Sequence, residues 1–158
     1  MSDYFQDHCP DNICFGCGIA NPGGLQIKSY WDGEISRCNF TPKKQHDGWP
    51  GLLCGGILAT LMDCHCVCTA MTVFAKQSGA PFTDLRKFPA VTGTLNLNYQ
   101  APTSTEGQVN LRAWATATTE RKCKLSCESY VGDKLTAAAE IVVIAVSRQM
   151  LAHGSRPS

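Results

Sequence analysis

One stretch, 51–76, GLLCGGILATLMDCHCVCTAMTVFAK, restricts the fold more than any other part of the chain. A glycine-rich turn leads into about twenty residues without Gly or Pro, a length ordinary for a helix and long for a strand. Ile57, Leu58, Leu61, Met62, Val67, Met71 and Phe74 surround the whole helical cylinder. A soluble helix that is apolar on every side must be buried on nearly every side. Only Asp63 and His65 break that surface. A carboxylate in the middle of a buried helix is costly unless it is paired, hydrogen-bonded or used chemically, so Asp63 is the first functional candidate.

The segments around this helix read as strands. Leu25–Trp31 alternates in polarity, Asp32-Gly33 is a hairpin turn signal, and Glu34–Phe40 returns. Thr41–Pro50 is polar and turn-rich, and Gln77–Ala90 reads as a long connection. Four further strands are expected at Val91–Tyr99, Gly107–Ala117, Lys122–Val131 and Lys134–Val146, the first with Leu95, Leu97 and Tyr99 on one face. Successive hairpins imply a mostly antiparallel sheet. One sheet covers only part of a helix, so an all-round apolar helix calls for a strongly curled sheet and a second subunit. The expected class is α+β: an irregular arm at 1–24, one domain at 25–147 and a frayed tail at 148–158.

Composition narrows the function classes. The 158 residues suffice for one domain with a sizeable core. Net charge is +1, from 14 basic and 13 acidic residues, and no basic run exceeds two, which argues against a nucleic-acid partner. Asp63 and His65 interrupt the longest apolar segment, and no basic-then-apolar leader is visible. These features argue against a membrane span and secretion and make a cytoplasmic location the expectation. The 10 cysteines are therefore read as reduced thiols. Cys14 and Cys17 have the spacing of zinc sites and redox dithiols, but no second paired motif is recognised. Cys64, Cys66 and Cys68 are read as small packing residues, with Cys64 and Cys68 on one face and Cys66 opposite. No metal and no cofactor are expected.

Three segments carry a resemblance. They are Cys14-Phe15-Gly16-Cys17-Gly18 with Asn21-Pro22 and Gly24-Leu25; Gly48-Trp49-Pro50-Gly51 through Cys54-Gly55-Gly56, with Asp63 seven residues on; and Gly93-Thr94-Leu95-Asn96-Leu97-Asn98-Tyr99 with Ala101-Pro102. Together, over roughly residues 12–146, the chain resembles the hotdog-fold superfamily, in which an antiparallel sheet wraps a central helix. More narrowly it resembles the PaaI-like acyl-CoA thioesterases. The resemblance implies hydrolysis of acyl-CoA thioesters by a homodimer, with a dimer of dimers expected, CoA entering only as part of the substrate. It also exposes departures: Cys54 stands where the family usually has His, Cys64 where many relatives have an acid, and Gly48 near a position where some have a helpful amide.

On this reading Asp63 is the general base or nucleophile, Gly55 and Gly56 present backbone N–H groups to the oxyanion, and Thr92 helps hold the water. Cys54, Leu58 and Met62 line the substrate site. Arg121, Lys122 and Lys124 meet the CoA phosphates. Gly55 and Asp63 are separated by eight residues, about 12 Å along a helix at 1.5 Å per residue, whereas reacting atoms meet within about 3–3.5 Å. One helix cannot easily bring both groups to one carbonyl, but two helices from two subunits can. Weaker readings make Cys54 a nucleophile, His46 a base and His65 a satisfied or interface histidine. The competing functions are an acyl-CoA or lipid-binding protein without turnover, and a metal or redox module using Cys9, Cys14 and Cys17.

Overall fold

The computed structural model describes residues 3–81 and 83–152. In chain order it contains β1 (Ser29–Asp32), β2 (Ile35–Phe40), β3 (Asp47–Trp49), β4 (Leu52–Leu53), α1 (Gly55–Gln77), β5 (Ala90–Tyr99), β6 (Val109–Thr118), β7 (Lys122–Val131), β8 (Lys134–Ala145) and α2 (Arg148–Ala152). Six strands form one antiparallel sheet in the order β1-β2-β6-β7-β8-β5, and β3 pairs with β4 apart from it. The sheet curls around α1, as expected of a hotdog fold. The predicted order of two strands, one long helix and four strands holds for the main sheet.

Period-two alternation explains the inner face. Val109, Leu111 and Ala113 of β6, Cys123, Leu125 and Cys127 of β7, and Ala137, Ala139, Ile141 and Val143 of β8 are buried in turn. Many of these side chains are small, which lets the helix sit close to the strands. The helix contributes Leu58, Leu61, Met62, Cys66, Ala70 and Phe74 to the same core. By length and composition α1 could cross a bilayer, yet most of its apolar window is packed inside the protein.

The single chain does not finish covering α1. Ile57, Thr60, Asp63, Val67 and Met71 remain half-buried along one face. Beside this face runs β5, an edge strand whose outer side is unpaired among the described residues. Val91, Leu95 and Tyr99 on it are exposed.

Several boundaries differ from the sequence reading. β1 starts at Ser29 rather than Leu25, because the backbone before it is held by the arm: Leu25 N donates to Phe15 O at 2.7 Å and Ile27 N to Gly16 O at 3.1 Å. The polar 41–50 segment contains β3, and the 77–90 connection contains a 3-10 turn at Leu85–Lys87. Part of the expected frayed tail is helical, at Arg148–Ala152, while residues 153–158 lie outside the described residues, as do residues 1, 2 and 82.

His65 is fully buried and satisfied. Gln6 Nε2 donates to Ser29 Oγ at 3.2 Å, and Ser29 Oγ meets His65 Nδ1 at 2.9 Å. His65 Nε2 meets the Ser36 carbonyl at 3.3 Å, so the chain of donors assigns the proton to Nε2. Burial pushes the His65 pKa down to about 4, which keeps the ring neutral. Removing the ring opens a cavity and takes away the partner of the Ser29 hydroxyl proton. His65→Ala is expected to cost about 3 kcal/mol or more of stability, read as a lower urea midpoint at an unchanged slope.

Candidate active site

The residues singled out by the sequence fall at two separate places along α1. The first is its middle. Asp63 is half-buried and opens onto a groove of about 930 Å³ bounded by α1, the arm, the 84–90 segment and the start of β5. Thr92 lines the same groove, and its hydroxyl donates a short hydrogen bond to Asp63 Oδ1. Local strand geometry aims that hydroxyl. The β5–β8 register shifts between Thr92 and Thr94, leaving Gly93 as a bulge. A Cβ at Gly93 would lie 2.6 Å from Ile144 Cδ1, so any side chain there requires Ile144 to move aside. Among the described residues Asp63 takes part in no ion pair, which leaves its second oxygen available to the groove.

The second place is the start of the helix. Cys54 precedes α1 in an extended conformation, and its carbonyl accepts from Ile57 N at 3.0 Å and Leu58 N at 3.2 Å. No side chain caps this end, so the exposed Gly55 and Gly56 amides form an open donor pair at the positive end of the helix dipole. A shallow groove of about 400 Å³ lies beside Gly55, lined by Leu53, Leu58, Tyr99 and Pro102 among others. Tyr99 donates from its hydroxyl to Gly55 O at 2.7 Å, tying β5 to the helix start. That contact was not anticipated; the only hint was an aromatic at the end of the strand following the helix.

Other expected residues are placed differently. Met62 is fully buried and lines neither groove; its position on α1 faces the sheet. Leu58 belongs to the helix-start groove, not the one at Asp63. Arg121, Lys122 and Lys124 are exposed at the β6–β7 turn and do not line the groove at Asp63. Its basic lining comes instead from Arg86, Lys87 and Arg148. The adjacent Arg86 and Lys87 in a turn-rich connection and Arg148 in the tail carry no periodic signal. Arg86 is partly engaged by Asp84, at 2.8 Å from its Nε. His46 is buried: its Nδ1 accepts from Lys43 N at 2.9 Å and its ring packs on Phe40, so it supports the loop before α1. Cys54 is partly exposed at the helix start.

A groove larger than either, about 1370 Å³, lies at the far end of α1 among Trp31, Val73, Lys76, Pro81 and Trp114. It contains none of the expected site residues.

No protein-family model matches the chain. No curated protein matches it either. Solved structures do. A thioesterase superfamily protein from Shewanella loihica PV-4 superposes with a TM-score of 0.60 at 28% identity, over 81% of this chain and 97% of that one. The PaaI protein from the phenylacetic acid degradation operon of E. coli superposes with a TM-score of 0.63 at 14% identity, over 78% of this chain and 81% of that one. The chain has the hotdog fold, and its resemblance to the thioesterase superfamily read from the sequence agrees with these neighbours.

Proposed function

We propose that the protein hydrolyses acyl-CoA thioesters at two sites shared across a homodimer, each built from the helix start of one chain and Asp63 of the other. The observation that carries this reading is the Thr92–Asp63 pair: an oriented carboxylate, unpaired by any cation among the described residues, facing a groove on an incompletely covered helix. In this scheme a water held in the groove by the second carboxylate oxygen of Asp63, with Thr92 fixing the first, attacks the thioester carbonyl and gives its proton to the Asp63 carboxylate. The Gly55 amide of the other chain, with Gly56 beside it, holds the oxyanion. Collapse of the tetrahedral intermediate breaks the C–S bond, and the proton passes from Asp63 to the departing CoA thiolate.

Support for a second chain comes from three features. The Asp63 groove and the Gly55 groove have no lining residue in common. One face of α1 is half-covered, and β5 offers a free ten-residue edge with exposed Val91 and Leu95. Lys87 and Arg148, at the rim of the Asp63 groove, are suited to the CoA phosphates.

The substitution of Cys54 for the usual His favours a second reading, an acyl-CoA binder without turnover. A panel of short, medium, long and aromatic acyl-CoAs separates the two. Thiol release catalysed by the wild-type protein is expected with at least one of them. Tight binding of CoA esters with no release above background would establish the binder instead.

A further inference from the structure

The pair Cys14 and Cys17 gains partners in the fold that are remote in sequence. Cys14, Cys17 and Cys64 bring their sulfurs within 4.8 Å of one another, the only such group of three or more potential metal ligands among the described residues. Cys14 Sγ and Cys64 Sγ are 3.7 Å apart. Cys68, one helical turn beyond Cys64 on the same helix face, lines the same groove as these three cysteines. A Cys-x-x-Cys turn from the arm thus faces a Cys-x-x-x-Cys pair on the helix.

We propose that Cys14, Cys17, Cys64 and Cys68 form a tetrahedral thiolate site for one zinc ion, which fastens the N-terminal arm to the central helix. The spacing of the first three fits: with Zn–S bonds of about 2.3 Å, ligand sulfurs of a tetrahedron stand about 3.8 Å apart, close to the 3.7 Å between Cys14 Sγ and Cys64 Sγ, and Cys68 is the residue of the helix placed to complete the four. The turn is shaped for the role. Cys14 N accepts the hold of Asn12 by donating to its Oδ1 at 2.9 Å, and Gly18 N closes the loop on Cys14 O at 2.8 Å. Asn12 Nδ2 also points at Cys17 Sγ at 3.5 Å, the kind of outer donor that steadies a thiolate ligand. A Cβ at Gly16 would sit 2.3 Å from Cys64 Sγ, so the loop lies directly against the helix with no side chain between. Plain packing calls for none of this apparatus. Cys38, Cys66, Cys123 and Cys127 are buried without a comparable sulfur group.

Four thiolates close the coordination shell, so the ion is structural and takes no substrate. Its effect is on the groove: Cys9, Asp11, Asn12 and Ile13 of the tethered arm form one wall beside Asp63. Arg86 and Lys87 on the same groove offset the net negative charge that such a site carries.

The test reads metal rather than activity, so it is independent of the thioesterase reading. Full-length protein expressed in zinc-supplemented medium and purified without chelator or immobilised metal is analysed by elemental mass spectrometry. About one zinc per chain is expected, released by an organomercurial in proportion to thiols modified. Cys14→Ser and Cys64→Ser should each lose most of it, while Cys123→Ser, remote in β7, should keep it. Because Cys64→Ser could fail to fold, a second measurement uses the wild-type chain stripped of metal under reducing conditions and titrated with cobalt, which should give the visible bands of a tetrahedral thiolate complex at one equivalent. Zinc well below one per chain together with no such bands would overturn the proposal. So would zinc retained by both Cys14→Ser and Cys64→Ser, or a disulfide between Cys14 and Cys64 in the protein as isolated.

Discussion

Asp63→Asn is expected to fold like the wild type and to lose about 10²–10⁴-fold in kcat for thioester hydrolysis, the range associated with a positioned general base. The change keeps size and a hydrogen-bonding oxygen for Thr92, so the groove and the bulge at Gly93 stay in place. What disappears is the ability to take a proton from water. KM should move little, because the role proposed for Asp63 is at the reacting carbonyl and the residue makes no ion pair among the described residues. A loss confined to KM would make Asp63 a binding group, and an unaltered kcat would remove it from the chemistry. Circular dichroism and the urea midpoint of the variant serve as the folding control.

The second large effect is expected at the other end of the helix. Gly55→Pro deletes a single backbone N–H, the proposed oxyanion donor. Proline is unusually well tolerated here. Gly55 is the first residue of α1, where the N–H has no intrahelical partner and proline is favoured. Cys54 before it has φ −54° and ψ 127°, the conformation that a residue before proline prefers. An added Cβ would meet the Tyr99 hydroxyl at 3.4 Å and its ring carbons at 3.5 Å, ordinary van der Waals contact. The expected cost is about 10²–10³-fold in kcat, the size seen when one oxyanion donor is lost. Gly55→Ala, which keeps the N–H, should retain most activity. If alanine were as damaging as proline, the glycine would serve close packing and not the reaction.

Much of the architecture was legible in the sequence because the fold depends on periodicity. The unbroken run after Gly56, the alternation in 109–143 and the Asp32-Gly33 turn each encode their element locally, and the structure reproduces them. The start of β1 was not legible, since it is decided by backbone hydrogen bonds from Phe15 and Gly16. Asp63 and Thr92 were each proposed, and the structure joins them through a bulge that only the Gly93 position hinted at. The basic lining from Lys87 and Arg148 was not legible, because these exposed charges are remote in sequence and meet at one groove only in the folded chain. Met62 was misplaced for a different reason: on a helix apolar all round, the sequence does not say which apolar side chain meets a groove. The cysteines show the same limit. Cys64 and Cys68 sit at packing positions of a buried helix, and only the folded arm reveals that Cys14 and Cys17 lie against them.

The central claim is that each site is made of two chains, and one measurement addresses it directly. Asp63→Asn and Gly55→Pro chains carrying different tags are co-expressed, and the hybrid dimer is isolated by passing through both affinity steps. Neither variant alone should be active. In the hybrid, one site has the intact Gly55 of one chain and the intact Asp63 of the other, while the second site has neither. Unfractionated random mixing should therefore restore about a quarter of wild-type activity per chain, and the purified hybrid about half. Folded hybrid dimers with no activity above that of the parents would contradict the account, because they would place both groups of each site in a single chain.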